Sequence, residues 1–448
     1  MIIRHEVGVP GLKRIAILLF SLLPASLILL SCYSSPTGSG TGSGLKTRAF
    51  VTNNVSAGTG FAGVYIVDAA KDVRAAASPI SAGNTPGMMV LTPNRNLTLV
   101  FSGNGTQFSD NQFAVINNST EAAIGHVTLP GVTESFVVSP DSSAAYIAVP
   151  TAQVIGQSPG VVKVISLNTG SFTGEVDVPS AHYLSIDNSG NRILAFSDNS
   201  DSVAVITPSN IGIGNAVTYV SGFDRPVAAF FSSDDSTAYV VNCGAECGGS
   251  TASVQQFNLS NGTLGSYVAA CTPGTAQCAG SVALLNGSTM YLAGTPYSGG
   301  VPSQPCTGQT TAAITCGLLT IIDLSSMSVI NTAPIVITDG YHNRIALGAN
   351  GQLFVGARTC TEVTPPVPPP AGAETRGCLS IYNTQTGAVV IPPANGDATG
   401  IQPIATRAVV YVTQGGSLGI YDTRTDKLQS LQITNLIGQF IDVKTIDF

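Results

Sequence analysis

A four-strand unit that recurs along most of the chain constrains the fold more than any other feature. The clearest copy begins at Ser135 with Phe-Val-Val-Ser-Pro-Asp-Ser-Ser-Ala-Ala-Tyr-Ile-Ala-Val, which predicts a strand, a tight turn at Ser139–Asp141 and a second strand. A third strand follows at Val161–Leu167, then a turn at Asn168–Gly170 and a fourth strand at Glu175–Val178. Short apolar runs bounded by Ser, Pro, Asn, Asp and Gly are typical of strands joined by turns.

Six further copies of the unit repeat this order of strands and turns. Their first strands begin at Met89, Leu184, Ala228, Val282, Ile345 and Ile404. The unit therefore recurs roughly every 50 residues, which is typical of blades in a β-propeller. The copy at Ile404-Ala405 has the weakest first strand.

The two ends of the repeat region are incomplete in a complementary way. Residues 48–67 supply later strands without a first one, and residues 440–448 supply a first strand without followers. Together they complete one sheet, which would close a ring and remove free edges. The sequence thus predicts an all-β fold, a β-propeller of eight four-stranded blades whose first blade is shared by both ends. Seven blades remain the alternative because the unit at residues 401–437 is weak, and a sandwich pair or β-helix fits the four-strand grouping less well.

Several short motifs carry a family resemblance. Val138–Asp141 with Ala145–Ala148, and also Phe50–Asn53, Tyr239–Asn242 and Tyr411–Gln414, resemble the YVTN β-propeller repeats, which are similar in turn to lactonase-type propellers. The resemblance covers roughly residues 46–448 and implies a propeller of bacterial surface or periplasmic proteins. It specifies activity poorly, because one propeller fold hosts many functions. The absence of Trp argues against WD40 and quinoprotein dehydrogenase propellers.

The first 32 residues are typical of a bacterial export signal. Arg4, Lys13 and Arg14 precede an apolar run that ends at Leu29-Leu30-Ser31-Cys32, which resembles a lipobox. We therefore predict a lipoprotein signal peptide at 1–31, a lipidated Cys32 followed by a Gly/Ser-rich tether at 32–45, and a propeller at 46–448. An uncleaved anchor or a plain secretory signal is the alternative. Each of these places the propeller outside the cytoplasm, in the cell envelope on its periplasmic or surface side, and the lipid on Cys32 makes the membrane a partner.

The charge balance restricts the other partners. The chain has 18 Lys and Arg against 25 Asp and Glu, and its formal net charge is −7. A nucleic-acid-binding protein needs a basic face, so we expect no nucleic acid partner. We also expect a monomer. The apolar fraction of 44% is sufficient for a buried core.

The cysteines after Cys32 are predicted to form disulfides. An even number of them in an exported chain favours disulfides, although sequence alone does not fix the pairing. Their layout favours four local bridges, which are Cys243–Cys247, Cys271–Cys278, Cys306–Cys316 and Cys360–Cys378. No His stands at metal-site spacing beside them, so no metal site is predicted there. The absence of Cys-x-x-Cys-His excludes covalent c-type haem.

The candidate binding site is the mouth of the central channel. Loops that lead into the innermost strands surround the axis of a propeller at one face, and polar groups converging on a concave mouth are the default site. The residues predicted there are Glu134, His182, Tyr183, Arg225, Tyr341, His342, Asn343, Arg344 and Gln402, with Asp224 and Asp339 as possible helpers. His182 and His342 occupy similar positions in their repeats and are predicted to face the axis. Acid–base chemistry on a lactone by His with Glu and Arg is one interpretation. The favoured interpretation is that these groups bond loop ends or water.

No cofactor is predicted. Calcium stays an alternative at Asp198–Asp201 and Ser233–Ser236, although turns commonly use the same residues. The favoured function is a lipid-anchored binding or scaffold module at the cell envelope that is not an enzyme, with a protein or small molecule of unknown identity as its ligand. The alternative is a lactonase-type hydrolase acting at the channel mouth.

Overall fold

The chain divides into two units, Met1–Gly40 and Thr41–Phe448, and the residues described below all belong to the second. The computed structural model describes residues 42–447 except 55–60, 104–109, 272–276, 297–315, 363–367, 369–376, 394–395, 406, 430–432, 434–435 and 437. The predicted signal peptide, Cys32 and Cys306 therefore lie outside the described residues. Among the residues described, no helix is long and apolar enough to cross a membrane.

Eight antiparallel sheets, named blades 1 to 8, make up the second unit. Blade 1 contains β1 (Arg48–Asn53), β2 (Gly63–Asp68), β3 (Val73–Arg74) and, as its innermost strand, β33 (Phe440–Thr445). From the innermost strand outward, blade 2 contains β4 (Pro86–Leu91), β5 (Leu97–Ser102), β6 (Gln112–Asn117) and β7 (Ala122–Thr128). Blade 3 contains β8 (Phe136–Val138), β9 (Ala144–Val149), β10 (Val161–Ser166) and β11 (Ser171–Asp177). Blade 4 contains β12 (Ala181–Ile186), β13 (Ile193–Ser197), β14 (Ser202–Ile206) and β15 (Val217–Ser221).

The second half of the ring follows the same plan. Blade 5 contains β16 (Pro226–Phe231), β17 (Thr237–Asn242), β18 (Ser253–Asn258) and β19 (Thr263–Ala269). Blade 6 contains β20 (Val282–Asn286), β21 (Thr289–Gly294), β22 (Gly317–Asp323), β23 (Ser328–Val329) and the extra strand β24 (Ile335–Ile337), which also pairs with β22. Blade 7 contains β25 (Tyr341–Leu347), β26 (Gln352–Arg358), β27 (Leu379–Asn383) and β28 (Val389–Val390). Blade 8 contains β29 (Ala398–Pro403), β30 (Val409–Gln414), β31 (Ser417–Asp422) and β32 (Lys427–Leu428). Two short 3₁₀ turns, Pro208–Asn210 and Gly244–Cys247, complete the described elements.

The predicted eight-bladed propeller and its shared first blade are confirmed. Strand β33 pairs with β1 in antiparallel register, with Val443 opposite Val51. Arg48 at the start of β1 reinforces this junction, because its guanidinium lies 2.7 Å from Asp447 and 2.8 Å from Glu121 of blade 2. The Ser43 hydroxyl also donates to Glu121, at 2.6 Å, so contacts with the propeller begin three residues before the predicted boundary at 46.

The hydrophobic core lies between adjacent blades. Middle strands such as β5 and β30 have five or six consecutive buried residues, because both of their faces pack against a neighbouring blade. Between blades 2 and 3, for example, the rings of Phe113 and Phe136 meet edge to face at 5.1 Å. Outermost strands alternate in burial, as in β7, and carry exposed residues such as His126. The middle strands therefore read as nearly continuous apolar runs.

The Ser-Pro-Asp-Ser-Ser signature is a side-chain-bonded turn. The Ser139 hydroxyl donates to Asp141 Oδ1 at 2.5 Å, and the Ser143 amide donates to the same oxygen at 3.0 Å. Blade 5 repeats the arrangement, with Ser232 and Ser236 both donating to Asp234. These bonds replace the ladder bonds that the backbone loses as the chain reverses between the first and second strands.

The predicted first strand of blade 8 is wrong in position. The strand is β29 at Ala398–Pro403, whereas Ile404-Ala405 begins the turn that follows it. A register shift between Ala398 and Gly400 interrupts its pairing with β30. Gly and Pro are unusual inside strands, and both occur in β29, so the segment lacked the apolar run that marks the other first strands.

The local disulfides are formed as predicted wherever both cysteines are described. Cys243 is bonded to Cys247, Cys271 to Cys278, and Cys360 to Cys378. Cys316 is also disulfide-bonded. Its predicted partner, Cys306, lies outside the described residues.

Candidate functional site

One face of the propeller carries the long connections. These connections join the second and third strands of most blades, or run from one blade to the first strand of the next. We call this side the loop face. The cysteines that the structure describes all lie in connections of this kind, between β17 and β18, β19 and β20, β21 and β22, and β26 and β27. The connections on the opposite side are mostly short turns. The elaboration of the fold is therefore concentrated on one face, as in scaffolds that bind through loops.

Aspartates before the innermost strands hold the long loops of the loop face. Asp224 accepts the amide hydrogens of Ser250 and Thr251, at 2.9 and 2.6 Å. Asp339 accepts the amide of Thr361 at 2.9 Å and also bonds its hydroxyl. Both carboxylates predicted as helpers are thus occupied in fixing loops.

An axial cavity of about 240 Å³ opens among the innermost strands. Blades 1 to 7 all contribute to its lining, so it lies on the propeller axis. Its polar side chains come mainly from the segments that lead into β8 and β20, from the first half of β25 and from the end of β26. They include Glu134, Ser135, Ser281, Asn343, Arg344 and Arg358. Apolar residues such as Met88 and Ile441 complete the wall.

A second, side cavity of about 400 Å³ adjoins the first. It is lined by blades 3, 4, 5 and 7 and includes His182, Asp198 and Arg225. Glu134, Tyr183, Val227 and Tyr341 line both cavities. The predicted mouth residues other than Gln402 therefore line one or both of these cavities.

Two of the residues that line both cavities are tyrosines whose hydroxyls contact each other. The Tyr183 and Tyr341 hydroxyls lie 2.5 Å apart, and they join blade 4 to blade 7. Burial raises the pKa of both phenols, so both stay protonated at neutral pH. Each hydroxyl keeps hydrogen-bonding capacity that a ligand in either cavity can use.

His182 lies between two carboxylates at the edge of the side cavity. Its Nδ1 is 2.6 Å from Asp198 Oδ1, its Nε2 is 3.5 Å from Glu134 Oε2, and its ring stacks on Tyr183 at 4.1 Å. Burial lowers the pKa of His182, but the contacts with Glu134 and Asp198 outweigh it and the net pKa is raised. The interaction with His182 lowers the pKa of Glu134, burial opposes this, and the charges of Arg358 and Arg344 add to the lowering. The two contacts thus favour the charged form of His182.

Arg344 and Arg358 bring positive charge to the axial cavity. Arg344 donates through Nε to the Thr399 carbonyl of blade 8 at 2.8 Å and through Nη1 to the Asn343 carbonyl at 2.9 Å. Both of these acceptors are neutral. Arg358 ends β26 opposite Tyr341, and its buried Nε has no hydrogen-bond partner among the described residues. Arg358 was not among the candidate site residues of the sequence analysis. It is the last residue of a second strand, and no sequence pattern distinguishes an Arg at that position from an Arg on the surface.

Other buried polar atoms at the cavities also lack partners within the part of the chain that the structure describes. They are Asn343 Oδ1 and His342 Nδ1, on residues that line the axial cavity, and Arg225 Nε, on a residue that lines the side cavity. The remaining Arg225 nitrogens lie 3.4 Å from Asp201 and 3.3 Å from the Gly248 carbonyl. Buried donors and acceptors are ordinarily satisfied, so these atoms mark places for ligand or water groups.

The side chain of His342 is enclosed by other parts of the protein. Its side chain is fully buried against Gly317 of blade 6, and Nε2 lies 2.9 Å from the Thr338 carbonyl, so Nε2 carries the hydrogen. Burial lowers the pKa of His342 to about 4, which keeps the ring neutral near pH 7. The two histidines that we expected to face the axis alike are thus in different environments.

Glu246 is a site residue that sequence reasoning missed. It lies in the 3₁₀ turn closed by Cys243–Cys247, where it accepts hydrogen bonds from the Thr295 amide at 3.0 Å and from the Ser281 hydroxyl at 3.1 Å. Burial raises its pKa to about 7. The carboxyl group therefore links the stapled loop of blade 5 to Ser281, which lines the axial cavity. A lone Glu between two cysteines gave no signal of this long-range contact.

Gln402 and the calcium alternatives are the remaining candidates. Gln402 in β29 donates to the Pro403 carbonyl at 2.9 Å and is not among the described residues that line either cavity. At the calcium alternatives, Asp198 contacts His182, Asp201 contacts Arg225, and Asp234 bonds the neighbouring serines. The metal-ligand cluster found among the described residues, Cys360, Glu362 and Cys378, includes two cysteines that are joined in a disulfide.

The similarity of this chain to known proteins is limited to the fold. No protein-family model matches the chain, and no curated protein matches it. Among solved structures, the dihydro-heme d1 dehydrogenase NirN in complex with DHE is similar over 92% of this chain and 77% of its own, at 12% identity and a TM-score of 0.57. The Dos1 propeller is similar over 79% of this chain and 86% of its own, at 10% identity and a TM-score of 0.56. The structural similarity supports a shared β-propeller fold. The sequence identity is too low to support any argument about activity.

Proposed function

We propose that this protein is an exported, lipid-anchored β-propeller that binds a small polar ligand in the axial cavity of its loop face at the cell envelope. The observation that carries the proposal is the axial cavity itself, in which polar side chains from separate blades converge and buried atoms of Asn343 and Arg358 have no partner among the described residues. Concave sites with a few convergent polar groups are the usual form of a binding site.

The envelope location rests on two features of the chain. The basic and apolar N-terminal segment ends at Cys32 in a lipobox-like pattern. The disulfides of the loop face are the second feature, because such bonds persist in oxidising compartments. The YVTN-like motifs agree with a bacterial surface or periplasmic protein.

Lipid anchoring has a direct test. In bacteria that express the protein with a radiolabelled fatty acid supplied, the wild type should carry label and sediment with membranes. The Cys32→Ser variant should lose the label. Wild-type protein that carries no label would refute the anchor.

Ligand binding is tested by thermal unfolding of the purified protein with a panel of neutral and acidic polar metabolites. A ligand that binds only the folded state raises the midpoint by mass action. We expect at least one compound to raise the midpoint of the wild type and of the control His126→Gln, which alters an exposed residue of β7. The same compound should have a smaller effect on Asn343→Leu. An equal shift in Asn343→Leu would place binding outside the axial cavity and refute the proposal.

The Glu134–His182–Asp198 cluster favours a second candidate, a lactonase-type hydrolase. A His held between carboxylates resembles the arrangement of a general base with its orienting group. The raised pKa of His182 opposes this role, because a protonated imidazole cannot accept a proton. Release of acid from sugar lactones by the wild type, lost in His182→Gln, would establish the hydrolase.

A further inference from the structure

We propose that the ligand of the axial cavity is a small hydroxylated carboxylate, such as an acidic sugar, whose carboxylate binds Arg358 and whose hydroxyl groups bind Asn343 and the tyrosine pair. This inference rests on the proposed function and specifies the chemical class of ligand for the same cavity.

The charge of the cavity lining favours an anion. Arg344 and Arg358 both line the cavity, and the ionisable carboxyl group that faces them there is Glu134. Glu134 also contacts His182 on its other side, at 3.5 Å, so it does not balance both guanidinium groups. This excess of positive charge lies within a chain whose formal net charge is −7. A cleft with one excess sign of charge concentrates ions of the opposite sign.

The geometry of the donors favours a planar carboxylate. Arg344 is fixed by the carbonyl groups of Thr399 and Asn343, whereas the buried Nε of Arg358 has no partner within the described chain. A guanidinium that offers Nε and a terminal nitrogen on one edge matches the two oxygens of a carboxylate. Arg358 is therefore the anchoring residue and Arg344 adds charge beside it.

The neighbouring groups require hydroxyls on the same ligand. Asn343 Oδ1 is a buried acceptor with no partner within the described residues, so it needs a donor, which a fully ionised inorganic anion lacks. The paired hydroxyls of Tyr183 and Tyr341 border the same cavity and can both donate and accept. The volume of about 240 Å³ limits the ligand to a small molecule. A monosaccharide acid or a short hydroxy acid meets all three conditions.

Phosphate shares the recognition chemistry of a carboxylate at an Arg and must be separated by experiment. Isothermal titration of the purified full-length protein with D-galacturonate, D-galactose and inorganic phosphate provides three arms. Galacturonate and galactose differ in the carboxylate, and phosphate lacks the array of hydroxyls. We expect galacturonate to bind at least tenfold more tightly than either of the other two probes.

Variants of one residue test the anchor. Arg358→Gln should weaken galacturonate binding about tenfold or more, because it removes a charge-assisted pair. Arg358→Lys, which keeps the charge but not the two-nitrogen edge, should weaken it less. Arg424→Gln is the matched control, since Arg424 is exposed and contacts Asp422 in blade 8. Circular dichroism and the unfolding midpoint of each variant establish that it is folded. If Arg358→Gln does not fold, Asn343→Asp, which places a negative charge in the cavity, should lower galacturonate affinity more than galactose affinity.

The possible results separate this inference from the proposed function. Equal affinity for galactose and galacturonate, unchanged in Arg358→Gln but reduced in Asn343→Leu, would overturn the carboxylate and leave axial binding intact. Preference for phosphate over galacturonate would overturn the hydroxylated carboxylate in favour of a phosphate site. A thermal shift from the wider panel that persists in Asn343→Leu would overturn the proposed function and this inference together.

Discussion

At the scale of single residues, burial decides which ionisable groups differ from their ordinary behaviour. Glu246 and His342 both lie close to the axial cavity, and burial disfavours the charged form of each. The pKa of Glu246 is raised to about 7 and that of His342 is lowered to about 4. The two groups therefore destabilise the fold at opposite ends of the pH range.

We expect Glu246→Gln to reduce the loss of stability at alkaline pH. Because the folded-state pKa of Glu246 lies above its unfolded value, its contribution to stability is complete below about pH 4.5 and is lost as pH rises through about 7. Urea unfolding at pH 5 and pH 8 should show a smaller decrease in the midpoint for Glu246→Gln than for the wild type. Glu175→Gln, at an exposed position of β11, should behave as the wild type does. Equal pH dependence in all three proteins would refute the burial of a titrating Glu246.

His342 should produce the opposite dependence. Its folded-state pKa lies below the unfolded value of about 6.5, so its contribution is complete above about pH 6.5 and is lost as pH falls through about 4. The shift corresponds to about 3 kcal/mol of unfolding free energy. Replacement by Gln in His342→Gln should remove most of this acid sensitivity, as measured by urea unfolding at pH 7 and pH 4. An unchanged acid loss would contradict a buried neutral His342.

Sequence reasoning located much of the cavity lining but not the roles of its residues. Glu134, Tyr183, Tyr341 and Arg344 could be nominated because the residues before each first strand have a fixed place in the repeat. His342 occupies such a place too and also lines the cavity, yet its side chain is fully buried against Gly317, next to a register shift between His342 and Arg344. Contacts between distant segments, as with Glu246, leave no trace in a single sequence.

At the scale of elements, the disulfides fix long loops that the strands alone do not order. Cys360–Cys378 closes the connection between β26 and β27, and Asp339 and Asp397 hold the first residues of the same loop through Thr361 and Thr359. The pairing was predictable because each pair is local and flanks one loop. The position of β29 was not predictable, because Gly400 and Pro403 break the apolar pattern on which strand prediction depends.

Loss of Cys360–Cys378 should cost more stability than loss of Cys243–Cys247. The two bridges span 18 and 4 positions of sequence, and the chain-entropy account assigns about 3 and about 2 kcal/mol to loops of these sizes. The double variants Cys360→Ser/Cys378→Ser and Cys243→Ser/Cys247→Ser can be compared by urea unfolding under oxidising conditions. A larger loss from the short bridge would contradict an entropic role and point to contacts made by the 3₁₀ turn.

At the scale of the whole molecule, closure of the ring joins residues from opposite ends of the chain. Strand β33 completes blade 1, and Asp442 within it accepts the Met89 amide of blade 2 at 2.9 Å. Similar bonds join the inner strands of other blades, such as that from the Leu184 amide to the Ser135 hydroxyl at 3.0 Å. The axial cavity is thus surrounded by inner strands that are bonded to one another. The closure was predictable from the complementary ends, whereas these side-chain links required the structure.

Arg48, which forms ion pairs with Glu121 and Asp447, is the critical charged residue at this closure. Arg48→Gln should lower the unfolding free energy by about 3 kcal/mol, because it leaves the largely buried Glu121 carboxylate without its cation. Lys71→Gln, which removes an exposed partner of Asp68 in blade 1, should change it by less than about 1 kcal/mol. Similar effects of the two substitutions in urea unfolding would show that the closure does not depend on these ion pairs.

The central claim is that the axial cavity of the loop face binds a small hydroxylated carboxylate. A crystal structure of the protein grown with a saturating concentration of D-galacturonate tests this most directly. The account predicts electron density for the sugar acid in the cavity, with its carboxylate on Arg358 and a hydroxyl on Asn343 Oδ1. Density for the sugar acid elsewhere on the molecule, or an axial cavity that holds only solvent under those conditions, would contradict it.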